Sequence, residues 1–414
     1  MNPYTEIKGF YTGCINSGNL GDDILYQIFI LLLKSSLSKK IKNVEVYENS
    51  FKVDALSWRD ISDIRVFGGG TLIHNYDNTY AGKLSGGKFN MAFGTGINPD
   101  FNLETNNVSH FINREYDKID YVVNDTIRYS LNQLSEVKHG GLRGPISNIF
   151  FKKVTNTDML PLMYDSGLLS GCFLNFRDSS IELCQKRKNI GVNLVQIVGP
   201  HRLGSSDKET IEEYNNRIFE EIYGACIKLL ETGEYNIVFF EMSNGSDKQL
   251  SKLMYDKIRD HHENLIDYVK HFPTALTSED VLKVVSQCFL TIGTRLHSNI
   301  LSASVLTPFI SISYCFKCVD FAESVGLQEL TLPTFYIKKE DIIDKVNKIT
   351  GEYGDIISKL KIHINNAYTR YSKDMDILVD SFLKEYNSLD TIDRAIIRYN
   401  TDHQCVGVFK IELM

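Results

Sequence analysis

Residues 289–317 read FLTIGTRLHSNILSASVLTPFISISYCFK. Two short apolar stretches, Phe289–Ile292 and Pro308–Ile312, have the composition of buried strands. Between them, Leu296–Ser304 predicts a helix. A strand, a helix and a second strand in this order are typical of parallel sheets. The stretch therefore predicts an α/β fold.

The same alternation continues on both sides of this stretch. Upstream in the second half, strands are predicted at Ile190–Ile197, Asn236–Glu241 and Leu265–Val269, with helices near 210–230, 248–261 and 278–286. In the first half, strands are predicted at Lys8–Cys14, Val44–Tyr47, Ile64–Phe67, Met91–Phe93 and Tyr121–Val123, with a helix from about Asp22 to Ser36. The pattern lapses around Asp165–Arg187, which predicts a linker.

Two consecutive sets of this size predict two Rossmann-like, doubly wound domains that face each other across a cleft. The predicted domains are 1–175 and 176–340, and a mainly helical C-terminal extension follows at 341–414. Within this extension, Gln404–Leu413 has the composition of one additional strand. No function is assigned to the extension beyond packing and capping.

Composition narrows the class of protein. The chain has 414 residues, of which 43% are hydrophobic and 23% charged, as in ordinary globular proteins. A formal net charge of −7 argues against a nucleic-acid binder. The longest apolar run, Ile24–Leu33, is about half the roughly 20 residues that a membrane-spanning helix needs. The start of the chain lacks a basic region followed by an apolar one, so a cytoplasmic protein with reduced cysteines is expected.

The strongest chemical signal is the segment Gly293–His297, where a predicted strand becomes a helix. A helix start favours an anion, and Arg295 carries a planar fork suited to carboxylate or phosphate. His297 exchanges a proton near neutral pH. After the next predicted strand, Tyr314 and Lys317 bring a second cation to the same sheet edge. The structural alternative is that Arg295 forms a salt bridge and His297 packs in the helix; the combination of side chains favours a site.

Glycine-rich turns follow two strands of the first half. In the turn Asn16–Asp23, Gly18 and Gly21 allow close approach of a ligand, which predicts that Asn19, Gly21 and Asp22 line a site. The alternative for the acidic pair Asp22 and Asp23 is capping of the following helix, and this is preferred for Asp23. Gly69 and Gly70 lie in a second turn, which is read as a binding loop or as a tight crossover.

Two further arginines are weaker candidates when each is taken alone. Arg143 lies at a predicted strand end, and Arg202 follows the first strand of the second half. The pair Cys315 and Cys318 has no second pair to form a zinc site and is read as incidental. Signatures of metalloproteases, α/β-hydrolases and P-loop kinases are absent from the sequence, and no metal or cofactor is predicted.

Together these motifs resemble the polysaccharide pyruvyltransferase family. The matching segments are Gly18–Asp23 (GNLGDD), Phe67–Leu72 (FGGGTL), Leu142–Ser147 (LRGPIS), Tyr164–Leu169 (YDSGLL), Arg295–His297 (RLH), Pro308, Tyr314–Lys317 (YCFK) and Val325–Leu327 (VGL). They occur in the family's order from about residue 10 to 330. Asp165 departs from the pattern because Ser166 follows it where the family usually has proline, and the tail after about residue 340 has no recognised counterpart.

The resemblance implies a fold similar to two-domain glycosyltransferases of the GT-B type. It also implies an enzyme that takes phosphoenolpyruvate and forms a cyclic pyruvate ketal on a sugar diol, with release of phosphate. The family's donor-binding arginine, histidine and lysine fall on Arg143, His297 and Lys317. The predicted donor side is the second domain and the predicted acceptor side is the first. The chemistry suits these residues, because it needs cations for the anionic donor and a general acid.

The acceptor is predicted only as a class: a sugar or a lipid-linked glycan, which would bring the protein to the cytoplasmic face of a membrane. The segment Asp77–Lys88 is a guess for acceptor contact. Two other functions stay open on the sequence. One is a glycosyltransferase with a nucleotide-sugar donor, and the other is a non-catalytic glycan-binding protein that has kept the fold.

Overall fold

The protein is an α/β protein in the computed structural model, as the sequence predicts. The structure describes residues 5–13, 15, 19–49, 51, 53–74, 87–101, 105–178, 181–183, 186–197, 209–243, 246–272, 277–334, 336–385, 392–402 and 406–414. Arg202, residues 16–18 and most of the Asp77–Lys88 segment lie outside these described residues.

Strands and helices alternate through most of the chain. The strands are β1 (Thr5–Thr12), β2 (Asn43–Glu48), β3 (Ile64–Phe67), β4 (Gly70–His74), β5 (Phe89–Asn98), β6 (Asp100–Phe101), β7 (Tyr121–Val122), β8 (His139–Leu142), β9 (Lys188–Asn193), β10 (Tyr235–Phe239), β11 (Val269–His271), β12 (Leu290–Gly293), β13 (Phe309–Ser313), β14 (Thr331–Pro333), β15 (Arg394–Asn400) and β16 (Val406–Leu413). The helices are α1 (Leu20–Ser38), α2 (Ala55–Asp60), α3 (Thr105–Ile112), α4 (Asp125–Ser135), α5 (Pro145–Thr155), α6 (Ser170–Phe173), α7 (Ile211–Glu231), α8 (Ser246–His261), α9 (Ser278–Ser286), α10 (Leu296–Ser304), α11 (Phe316–Ser324), α12 (Lys339–Gly351) and α13 (Tyr353–Glu385).

The chain forms two compact units that are not consecutive in sequence. The first comprises Met1–Ser17, Asp22–Ser166 and Asn365–Met414, and the second comprises Gly18–Gly21 and Gly167–Ile364. The predicted domain boundaries at residues 175 and 340 assume that each domain is continuous in sequence, whereas the first unit also includes the C-terminal segment. This segment belongs to the first unit because its strands pair with the sheet there.

The sheet of the first unit has the order β2-β15-β16-β1-β3-β5-β4, and β8 also pairs with β5. The C-terminal strand β16 runs antiparallel to β1 from Thr5 opposite Leu413 to Thr12 opposite Val406. Gly9 makes this pairing possible, because a Cβ there would lie 2.0 Å from the Phe409 ring. The strand predicted in Gln404–Leu413 is confirmed as β16, whereas β15 is not among the predicted strands.

The second unit contains a fully parallel sheet in the order β11-β10-β9-β12-β13-β14. Counted along the chain, this is the 3-2-1-4-5-6 order of a Rossmann fold. Every residue of β10, β12 and β13 is buried, as expected for strands covered on both faces. The strand order reverses between β9 and β12, and ligands of such sheets bind at the carboxyl ends of the strands at this point.

One predicted strand of the second unit is largely helical. The sequence predicts a strand at Leu265–Val269, but Glu263–Tyr268 forms a 3₁₀ helix and β11 begins only at Val269. A local bond from the Leu265 N–H to the His262 carbonyl, 2.9 Å long, closes the turn. A short apolar run does not distinguish a strand from a helical turn by its pattern alone.

Candidate active site

The segment Gly293–His297 lies at the point where the strand order of the second unit reverses. Gly293 ends β12 and is paired in register with Asn193, the last residue of β9. The next residue, Thr294, donates its N–H to the Asn193 carbonyl at 3.0 Å and accepts the Val195 N–H through Oγ1 at 2.7 Å. The loop that carries the predicted chemistry is therefore fixed to the neighbouring strand.

Glycine is required at the end of β12 because the start of α10 packs against it. A Cβ on Gly293 would lie 2.2 Å from Ser298 Oγ and 2.3 Å from Asn299 Oδ1. Ser298 Oγ in turn donates to the Arg295 carbonyl at 2.7 Å. These contacts set the direction in which α10 leaves the sheet.

Two helices begin side by side at this edge of the sheet. Strands β12 and β13 are parallel neighbours, with Gly293 opposite Ser311, and α10 and α11 follow them directly. The N-cap residues, Arg295 and Cys315, make no side-chain capping hydrogen bond. Helix starts present backbone N–H groups and a partial positive charge, so two adjacent starts favour an anionic group.

The first turn of α11 adds a cation to this edge. Lys317 Nζ lies 5.5 Å from the centre of the Tyr314 ring, and the two side chains are hydrogen-bonded. Burial raises the pKa of the Tyr314 phenol, which therefore stays protonated at neutral pH. Burial opposes the charge of Lys317, but Tyr314 and the two nearby cysteines outweigh it and raise the pKa of the amine. Lys317 thus carries its charge throughout the physiological range.

His297 lies in the first turn of α10 and packs against the N-terminal glycine turn. Its side chain is 7% exposed. A Cβ on Gly21 would lie 2.1 Å from Cγ and 2.3 Å from Nδ1 of His297. The turn is fixed where β10 ends, because the Leu20 N–H donates to the Met242 carbonyl at 3.1 Å. Asn19 Oδ1 accepts the Gly21 N–H at 3.3 Å. Two predicted binding residues, Asn19 and Gly21, are thereby brought to His297.

Arg295 forms a salt bridge, which is the structural alternative to a binding role that the sequence leaves open. Its Nε and Nη2 donate to the Asp247 carboxylate at 2.7 to 2.9 Å, and Asp247 is fully buried. Asp247 is not among the predicted site residues, because it stands in the first turn of α8 and resembles an ordinary helix-start acid. Its partner is 48 residues away.

The other predicted site residues that the structure describes belong to the first unit. Arg143, directly after β8, is completely buried; its Nη1 lies 3.5 Å from Asp165 Oδ2 and 3.3 Å from Thr71 Oγ1. Its Nε and Nη2 have no hydrogen-bond partner among the residues that the structure describes. The predicted loop residues lie together: a Cβ on Gly70 would be 3.3 Å from Asp22 Oδ1, and the Gly69 N–H donates to the Tyr11 hydroxyl at 3.0 Å.

The pair Cys315 and Cys318 lies at the start of α11. The two sulfur atoms are 3.9 Å apart and both residues are buried, without a disulfide. Within the described ranges, no group of three or more histidine, cysteine or acidic side chains is arranged to hold a metal ion. No described helix is both long and apolar enough to cross a bilayer.

The second unit is thus a Rossmann-ordered α/β sheet with an anion-favouring edge that carries a lysine and a histidine. The family described as polysaccharide pyruvyl transferase matches residues 19–315, and the chain belongs to this family. The match confirms the resemblance found in the sequence motifs and supports the predicted transferase.

Other known proteins share shorter or weaker similarity. A segment of 73 residues is 37% identical to the amylovoran biosynthesis protein AmsJ of Erwinia amylovora; it covers 18% of this chain and 18% of that protein. Among solved structures, an S. aureus MnaA–UDP co-structure is 9% identical over 87% of this chain and 79% of its own, with a TM-score of 0.44. A UDP-N-acetylglucosamine 2-epimerase assigned in Listeria monocytogenes is 8% identical over 88% and 80%, with a TM-score of 0.43.

Proposed function

We propose that the protein transfers the pyruvyl unit of phosphoenolpyruvate to two hydroxyls of a sugar, in a free or lipid-linked glycan, and forms a cyclic ketal. The observation that carries the proposal is the pair of helix starts after β12 and β13, with His297 and Lys317 in their first turns. The donor is a small molecule with a carboxylate and a phosphate. Two helix starts and a charged lysine at one sheet edge suit such a ligand.

The proposed reaction balances without a cofactor. The donor's methylene carbon gains a proton, two acceptor hydroxyl oxygens bond to the adjacent carbon, and the bond from that carbon to the phosphate oxygen breaks. The two hydroxyl protons account for the new methyl group and for the protonated phosphate that leaves. His297 is assigned the proton transfer to the methylene carbon, and Lys317 with the helix starts stabilises the anionic groups.

Arg143 is not assigned a substrate contact in this proposal. Its side chain has no exposed surface, and Asp165 offsets its charge inside the first unit. The family resemblance implied a donor-binding role for it, and that role stays a prediction.

The decisive test is phosphate release from phosphoenolpyruvate in the presence of a panel of sugars and lipid-linked sugars. His297→Ala is expected to lower the rate by about 10²–10⁴-fold, the usual contribution of a positioned acid. Lys317→Ala is expected to lower it by about 10²–10³-fold, as when one group that stabilises developing charge is removed. Formation of the ketal is followed by the new methyl signal in proton NMR.

Matched controls come from the exposed face of α8. His261→Ala and Lys252→Ala remove the same two side-chain types at exposed positions and are expected to leave the rate unchanged. A wild-type rate in His297→Ala or Lys317→Ala would overturn the site assignment. Thermal stabilisation by nucleotide sugars, with none by phosphoenolpyruvate, would instead favour a glycosyltransferase.

A further inference from the structure

The Asp247 carboxylate joins the ends of three strands of the second sheet. It accepts three hydrogen bonds of 2.7 to 2.9 Å from Arg295, which follows β12. It also accepts the Met242 N–H after β10 at 3.2 Å, and it lies 3.4 Å from Nδ2 of Asn193 at the end of β9. Asp247 is fully buried, so each of these contacts is made away from water.

The position of Asp247 suits a carboxylate. It stands in the first turn of α8, where the helix dipole favours negative charge. The opposing guanidinium presents Nε and Nη2 in the side-on arrangement that makes arginine–carboxylate pairs rigid. An isolated charge in this environment would be strongly disfavoured, so each partner depends on the other.

The pair also fixes the residue from which α10 starts. Arg295 is the N-cap of α10 and stands two residues before His297. The Arg295 side chain is fixed against Asp247, and this restricts the backbone that orients His297. The guanidinium, which could otherwise bind an anion, faces the Asp247 carboxylate. The Arg295–Asp247 contact is thus placed to orient the predicted acid.

We propose that Asp247 is a positioning residue for pyruvyl transfer and that Arg295 acts through Asp247, orienting the start of α10 and His297, not as an independent ligand of the donor. The inference rests on the proposed function, and it assigns a role to a carboxylate that the sequence motifs do not include. The anionic donor is then held by Lys317 and the two helix starts.

A double-mutant cycle distinguishes this role from direct substrate contact. The variants are Arg295→Gln, Asp247→Asn and the double variant, which removes both charges and keeps a pair of neutral hydrogen-bonding side chains. Arg295→Gln leaves the buried Asp247 charge without its partner, which shifts the unfolding equilibrium by roughly a hundredfold or more, and Asp247→Asn leaves the partly exposed Arg295 charge without its partner. The double variant removes both charges and is expected to recover most of the lost melting temperature.

The kinetic constants distinguish a positioning role from a purely structural one, because a purely structural role would not change them in folded protein. The assay is run at a temperature where all variants are folded, with kcat and KM for phosphoenolpyruvate measured separately. Arg295→Gln and Asp247→Asn are expected to lower kcat at nearly unchanged KM, because His297 is misoriented while the donor-binding cation remains. The double variant is expected to regain kcat to within about tenfold of wild type, as coupled residues do in such cycles.

Three outcomes would decide against the proposal or separate it from the proposed function. A double variant that recovers its melting temperature but stays as inactive as Arg295→Gln would show that Arg295 contacts the donor. Additive losses of melting temperature would show that the two residues do not act as one unit. A wild-type protein that releases no phosphate from phosphoenolpyruvate would reject the proposed function, while the unfolding cycle would still decide the pair.

The matched control is Asp256→Asn on the same helix. Asp256 pairs with Lys252 and Arg259 in an exposed cluster, so the substitution removes the same charge from α8 without touching the sheet edge. It is expected to change neither kcat nor the melting temperature measurably, because exposed ion pairs contribute little. A loss of kcat in this variant equal to that of Asp247→Asn would remove the case for a specific role.

Discussion

Arg143 in the first unit directly follows the parallel strand β8, Arg295 in the second follows the parallel strand β12 after one intervening residue, and each faces a buried aspartate. Arg295 keeps 18% of its side chain exposed and makes three close hydrogen bonds to Asp247. Arg143 has no exposed surface and meets Asp165 at a single distance of 3.5 Å. An arginine after a strand thus lies at a solvent-accessible sheet edge in the second unit, and it is enclosed in the interior in the first unit.

The difference arises from the chain that surrounds each arginine. The Arg143 guanidinium lies on Gly96, where a Cβ would be 2.4 Å from Cζ, and Tyr371 closes the same region from α13. Arg295 stands where the strand order reverses, and such points are left open for ligands. Arg295 consequently keeps part of its side chain accessible at a sheet edge where the neighbouring connections diverge, whereas Arg143 becomes part of the core.

The largest effect that this comparison predicts is on the stability of the first unit. Arg143→Met keeps the volume of the side chain but leaves the Asp165 charge buried without its counter-ion. We expect a loss of about 3–5 kcal/mol in the free energy of unfolding, measured by denaturant titration with circular dichroism. The control, Arg394→Met, breaks an exposed pair with Glu45 and should cost less than about 1 kcal/mol. Equal losses in the two variants would contradict the assigned role of Arg143.

The next largest effects are predicted for alanine substitutions at two glycines, one beside each site. Gly21 lies against His297 and Gly96 against Arg143, so an added methyl group displaces a different side chain in each case. Gly21→Ala is expected to lower the rate of phosphate release by about 10–100-fold, because misplacing a reacting group by about 1 Å has costs of this order. Gly96→Ala is expected instead to lower stability by about 1–3 kcal/mol, as overpacked cores do.

The two glycine variants separate the roles of the two arginine sites. The rate of Gly21→Ala is compared with that of wild type at a temperature where both are folded. The added methyl group of Gly21→Ala also meets the Cβ of His297, so this variant is expected to lose about 1–3 kcal/mol of stability as well, and the difference between the two variants lies in the rate. If Gly96→Ala lost activity while keeping full stability, Arg143 would belong to the reaction site.

The sequence predicts the local parts of this architecture well. The limits of α9, α10 and β3 agree with the predicted ones to the residue, because apolar spacing and helix-start residues are local signals. The family motifs also identify the edge that carries His297 and Lys317. A pattern of residues, however, contains no direct information on which strands pair across the chain.

The features that sequence reasoning missed depend on distant contacts. Strand β15 carries Arg394 and Arg398 among its apolar residues, and it is extended because β2 and β16 pair with it on its two sides. Asp247 is an ordinary first-turn acid until Arg295 approaches it in the folded chain. The burial of Arg143 likewise follows from Gly96 and Tyr371, which lie far from it in sequence.

The smallest effect concerns the support of Asp165 by the C-terminal helix. Tyr164 has a φ of +67°, in the left-handed region, and its carbonyl accepts a 3.0 Å hydrogen bond from the Tyr371 hydroxyl. Burial, and then the charge of Asp165, raise the pKa of Tyr371, so the hydroxyl keeps its proton and remains a donor. This bond fixes the residue that precedes Asp165 and so restricts where the partner of Arg143 can lie.

Tyr371→Phe removes this hydroxyl donor and keeps the ring, whose centre lies 4.7 Å from the centre of the Phe93 ring. We expect a loss of about 1–2 kcal/mol in the free energy of unfolding, the usual cost of removing one partner of a buried hydrogen bond. Tyr368→Phe, at an exposed position of the same helix, should stay within about 0.5 kcal/mol of wild type. Arg295 pairs with Asp247 on α8, so adding Tyr371→Phe should leave the Asp247–Arg295 coupling unchanged. A change in that coupling would mean that the two arginine sites are energetically linked.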